Sequence, residues 1–215
     1  MANPAVIIPI SVQKPRPIRT KRGRMTILTP QEILDLLKVA RKRSTRDWAM
    51  ILLAYRHGLR ASEVCGLKLA DLDLKAGSIS IRRLKGSLHT IQPLHQHRGQ
   101  PLLDETAAVR AWLRKRPADG SDYLFTSQKG GKLDRTQFFR NFQAVAKSAG
   151  LSVEKRHPHV LKHSLASHLV AGNANLALIW QALGHTIRTS VKSAVIFTSP
   201  GNQILFSSGW GSLSV

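Results

Sequence analysis

The chain has 215 residues, and 33 Lys and Arg against 12 Asp and Glu leave it a formal charge of +21. An apolar share of 42% excludes disorder throughout and fits one good-sized domain with a real core. Charge of this size calls for an anionic partner, either nucleic acid or an anionic membrane surface. No run approaches the roughly 20 apolar residues of a spanning helix, and no secretory leader opens the chain. The single cysteine, Cys65, excludes an internal disulfide and fits a reducing compartment, cytoplasm or nucleoid.

Residues 1–25 contain Lys14, Arg16, Arg19, Lys21, Arg22 and Arg24 without one acid. They read as a flexible basic arm, either simply solvated or tracking a nucleic-acid backbone. Folded structure is predicted to begin at Thr29-Pro30-Gln31-Glu32, a capping threonine followed by proline and a glutamate three residues on. Ile33, Leu36, Leu37 and Ala40 then recur at helical spacing. A second helix is expected from Ser44 to Arg56, with Trp48, Ile51, Leu52 and Tyr55 inside and Gly58 as its stop. Arg60 follows at the head of a short helix reaching Gly66. From Asp71 to Leu94 the texture is β, with Ile79 and Ile81 alternating with Ser78 and Ser80 and a Lys85-Gly86-Ser87 turn leading into a second strand over 88–94. Helices are expected over 102–116 and from Asp134 to Gly150, the latter with Phe138, Phe139, Phe142 and Val145 as its apolar stripe. The 123–125 segment reads as core. Pro158 opens a further helix with Leu161, Leu165 and Leu169 inside and Gly172 at its end. Asn175 caps another, with Leu176, Ile179, Trp180 and Leu183 inside. Residues 193–215 carry no charged side chain and no histidine.

Five basic groups lie beside turns or helix ends: Arg60, Lys85, His159, Lys162 and His185. His159 and Lys162 share one face of a first helical turn, where an anion is favoured. Singly, each has an ordinary explanation, such as a solvated arginine, a hairpin-tip lysine or a His-rich surface helix. His159 and His163 have the spacing of a helical zinc pair, but the glutamate of that motif is replaced by Val160 and no cysteine or carboxylate cluster is at hand, so no metal is expected.

Taken in order, GLRASEV with LKLADLDL, then RRLKGS, then HPHVLKHSLASHLV and ALGH, the set resembles the tyrosine recombinase (phage integrase) family over roughly residues 26–192. The resemblance implies an α+β, mainly helical catalytic domain with a small antiparallel hairpin, between the arm of 1–25 and an atypical tail of 193–215. It implies double-stranded DNA as the partner, a homo-oligomer assembled on it, and no cofactor, small-molecule substrate or membrane. In the implied chemistry a tyrosine attacks a DNA phosphate, forming a covalent 3′-phosphotyrosyl link and releasing a 5′-hydroxyl. Arg60 and Lys162 would bind the non-bridging oxygens, Lys85 would protonate the leaving oxygen, and His159 and His185 would complete the pocket. Arg82 and Arg83, with the basic arm, are expected to contact DNA.

The sequence departs from that pattern twice. Lys162 stands where the family usually has arginine, keeping the charge but losing the bidentate fork. The position of the attacking tyrosine falls on Ala194, or on Ser193 if one residue is lost after His185. The two tyrosines, Tyr55 and Tyr123, lie in segments read as core. The expected function is therefore a DNA-binding recombinase-family protein with impaired strand breakage. A non-cutting regulator or relic is the alternative, and a basic RNA-binding protein a more distant one.

Overall fold

The computed structural model describes residues 26–83, 89–172 and 183. Helix α1 (Pro30–Arg43) begins as its sequence dictates. The Thr29 hydroxyl accepts from the Glu32 amide, and the Glu32 carboxylate accepts from the Thr29 amide at 2.7 Å. That reciprocal pair satisfies two amide groups that a helix start leaves without partners. Ser44 ends α1 and caps α2 (Thr45–Arg56), so the two helices turn on one residue.

Helix α2 is the centre of the domain. Every residue from Asp47 to Arg56 is buried, which a helix tolerates only when neighbours cover it on all sides. Its neighbours include α1, α4 (Glu105–Leu113), α5 (Arg135–Ser148) and α6 (His159–Ala171). The polar residues at its ends are paired. Asp47 meets Arg43 at 3.3 Å and accepts from Asn141, while burial still raises its pKa. Tyr55, at 3% exposure, joins its hydroxyl to His168 Nδ1 at 2.8 Å. His168 Nε2 reaches the Leu28 carbonyl at 2.9 Å, and the Leu28 amide donates to the Ser164 hydroxyl at 2.7 Å. The start of the described chain is thereby tied to α6.

After the short helix α3 (Ala61–Cys65) come three antiparallel strands, β1 (Leu72–Asp73), β2 (Ser78–Ile81) and β3 (Thr90–Pro93), in that spatial order. Ile79 lies opposite Leu72 on one side and Gln92 on the other. Ile79 and Ile81 face the core as their alternation predicts. The hairpin strand is shorter than the expected 88–94, β1 falls within the stretch from Asp71 read as β, and Lys85 lies outside the described residues.

Other expectations need revision. The 102–116 segment is a 3₁₀ turn (Pro101–Leu103) followed by α4, because the Asp104 side chain accepts from the Ala107 amide and starts the helix there. Arg114 ends it, and Pro117 lacks the amide needed to continue. Phe139 is 39% exposed although Phe138 and Phe142 are buried. Tyr123 is only half-buried, flanked by Lys68 and Lys132 at 5.9 and 5.7 Å from its ring centre. The helix expected after Asn175 lies outside the described residues except Leu183, which is buried.

Candidate nucleic-acid interface

The turn that delivers Arg60 is built by backbone closure at the end of α2. Gly58 has φ +57°, its amide bonds to the Tyr55 carbonyl, and the Leu59 amide bonds to the Ala54 carbonyl at 2.9 Å. This is the paired closure that glycine permits after a helix. A Cβ at Gly58 would lie 2.8 Å from a Leu183 methyl and 3.2 Å from a Leu165 methyl, so Leu165 of α6 and Leu183 press directly on the turn.

Arg60 leaves the turn in extended conformation. Its amide donates to Glu63 Oε2 at 2.8 Å and its Nη1 to Glu63 Oε1 at 2.8 Å, while 30% of the side chain stays exposed. Glu63 is therefore the acid that keeps an arginine at this position. From α6, Lys162 approaches the same turn, its Cγ 3.9 Å from where a Gly58 Cβ would be. Its Nζ donates to the Leu183 carbonyl at 2.8 Å. Burial, then the charges of Arg60 and Arg83, push the Lys162 ammonium down to about 8, against the opposing pull of Glu63. Such a group gains from any anion that settles among the three cations.

His159 is exposed at the first position of α6. Burial first, and then His159, His157 and Lys162, push the His163 imidazole below its ordinary value. Of the five basic residues singled out in the sequence, Arg60 and Lys162 are thus brought together and His159 lies one turn from Lys162. Lys85, His185, Ser193, Ala194 and the arm residues lie outside the described residues.

The paired arginines divide. Arg82 is 74% exposed and only loosely paired with Asp71 at 3.6 Å, as a surface contact requires. Arg83 contradicts the expectation. Its side chain has no exposure, because it continues the inward face of Ile79 and Ile81. It donates to the His57 carbonyl at 2.8 Å, the Gly58 carbonyl at 3.1 Å and Glu63 at 3.3 Å. The period-two alternation of β2, extended two residues, was the sequence signal for this. Behind it lies a second group missed in the sequence. Fully buried Glu105 meets His57 Nε2 at 2.8 Å and Arg56 at 3.7 Å, and accepts from the His95 amide. A cleft of about 280 Å³ opens beside α3, lined by Ser62, Lys68, Arg82, Tyr123 and Lys132 among others.

This arrangement of helices, three-stranded sheet and basic turn is that of a tyrosine-recombinase catalytic domain. Residues 26–196 match the phage integrase family, and the chain belongs to that family. It is 37% identical over 181 residues to the type 1 fimbriae regulatory protein FimE of Escherichia coli, spanning 79% of this chain and 87% of that protein. To the tyrosine recombinase XerA of Pyrococcus furiosus it is 33% identical over 80% of this chain and 56% of that one. Among solved structures, a XerA recombinase superposes with a TM-score of 0.65 at 28% identity, over 75% of this chain and 57% of the other. The site-specific recombinase XerH, bound to its difH substrate before cleavage, gives 0.63 at 27% identity, over 75% and 48%. The chain spans about half the length of these two crystallised recombinases.

Proposed function

We propose that this protein binds duplex DNA at a phosphodiester held by Arg60 and Lys162, with Lys85, His159 and His185 completing the pocket and Arg82 and the basic arm adding backbone contacts. The observation that carries this reading is the convergence of Arg60 and Lys162 on one turn, close enough that Arg60 disfavours the Lys162 charge. Anionic oxygens relieve that repulsion. Related recombinases, among them XerH, have been crystallised on DNA, some as dimers or tetramers, which supports assembly of several copies on DNA.

The break-and-rejoin chemistry of the family is impaired in this reading. Ser193 or Ala194 occupies the nucleophile position. Tyr55 is buried and committed to His168.

Two measurements test the proposal. Arg60→Ala should reduce the slope of log affinity against log salt by about 0.9, the value of one phosphate contact on duplex DNA. An unchanged slope refutes the shared pocket. A nicked duplex should yield no covalent adduct. A denaturation-resistant adduct refutes the impairment and directs peptide mapping to Ser193 and Tyr123.

A further inference from the structure

We infer that Arg83 is a positioning residue for Arg60, its guanidinium fork locking the His57–Arg60 turn in the geometry that offers Arg60 to a phosphate. The inference rests on the DNA-phosphate reading of Arg60.

Arg83 cannot touch DNA itself, because its side chain is wholly enclosed. Its bonds instead converge on the hinge of the site. The carbonyls of His57 and Gly58 lie at and just past the end of α2, in the turn that leads to Arg60. One planar cation holds both of these successive carbonyls. The same guanidinium also contacts Glu63 Oε2, while Arg60 takes Oε1 with its side chain and Oε2 with its amide. Glu63 is only 1% exposed at its side chain, so its charge has to be met inside the fold. Arg83 meets part of it from behind and fixes the carboxylate. Arg60 then makes its bond from the front and retains exposed surface for a ligand. The two arginines divide the work, one orienting the acid and the turn, the other facing outward.

A lysine at 83 would keep the charge, but a single ammonium presents no planar fork to two carbonyls and a carboxylate at once. The sequence places the fork where it is needed by simple alternation. Position 83 continues the inward face of β2, whereas Arg82, one residue earlier, points to solvent.

The test is a double-mutant cycle on the full chain, using a fluorescein-labelled duplex and a salt series below the melting temperature of each variant. Arg60→Ala, Arg83→Lys and Arg83→Met are compared singly, and each Arg83 variant is combined with Arg60→Ala. Arg83→Lys carries the result should the methionine variant not fold. Positioning predicts that each folded Arg83 variant loses about 0.9 in slope, as Arg60→Ala does, and that the double variants lose no more than Arg60→Ala alone. A wild-type slope in Arg83→Lys overturns the inference, because a role in stability alone moves the melt and not the slope. An additive loss in the double variants also overturns it, since Arg83 would then act independently of Arg60. Should Arg60→Ala leave the slope unchanged, the underlying DNA-phosphate reading fails, and that arm alone reveals it.

Discussion

Lys162 gives this chain a pH dependence in DNA binding that arginine at the same position would abolish. Held at about 8 by burial and by the charges of Arg60 and Arg83, the ammonium is largely charged at pH 7 and largely neutral at pH 9. A phosphate beside it restores the charge, so binding takes up a proton at alkaline pH. With a free-state pKa of about 8 and a bound-state value near the ordinary lysine range, affinity should fall about tenfold between pH 7 and pH 9. Fluorescence anisotropy with a labelled duplex at fixed ionic strength measures it. Lys162→Arg should bind at least as tightly at pH 7 and lose almost nothing by pH 9. The α-amino group titrates in the same window, but it is common to both proteins and cancels in the comparison. Unfolding does not mimic the effect. The folded pKa is depressed, so the unfolded chain holds the extra proton between about pH 8 and the ordinary lysine value, and the Lys162 contribution makes the fold more stable as pH rises through that window. A flat wild-type profile, or an equal fall in Lys162→Arg, refutes the reasoning.

Four further outcomes follow from the geometry. Gly58→Ala forces a side chain into φ +57° with a Leu183 methyl 2.8 Å from the new Cβ; it should cost about 1–2 kcal/mol in a thermal melt and weaken DNA binding, and a wild-type melt would contradict this. Tyr55→Phe removes a buried bond to His168 and should cost about 0.5–1.5 kcal/mol in urea unfolding, with no change in adduct formation. Glu105→Gln leaves Arg56 and His57 facing a neutral amide in the interior and should cost about 3–5 kcal/mol. The same region makes the fold acid-labile: burial, against the opposing pull of Glu105 and aided by Arg56, His57 and His97, holds His95 down to about 4, so the unfolded chain gains a proton first and stability falls from about pH 6.5 towards pH 4. The Glu105 carboxylate, which burial alone would raise, is held below its ordinary value by His57 and Arg56, and its contribution, present above that ordinary value, is lost as pH falls through the folded one. A melting temperature constant from pH 7 to 4 would refute this.

The helices were legible because their signals are local. The Thr29–Glu32 capping pair, the Ser44 cap, the Gly58 stop and the Asp134 cap all act within a turn of their own residue. Arg60 and Lys162 were legible as a pair only through the resemblance, since no local rule joins residues so far apart in sequence. Arg83 was misread although its signal was present. The strand alternation that buries Ile79 and Ile81 also buries position 83, but a charged side chain is assumed to face water unless partners are known, and its partners sit on a different element. Glu105 escaped for the same reason, because its first-turn position fits a helix start and nothing local reveals His57 and Arg56 against it. Phe139 completed a plausible apolar stripe, yet its side of α5 is left open to solvent.

The junction at Leu28 has a consequence for how the domain opens. A residue ahead of the first helix would ordinarily fray and exchange its amide hydrogen quickly. Here that amide is bonded to Ser164, 136 residues away, and its carbonyl to His168, 140 residues away, with Tyr55 closing the same link from α2. The Leu28 amide can therefore exchange only when α6 separates from the rest. Leu28 and the helix bearing Lys162 belong to one cooperative opening unit, and they gain or lose order together.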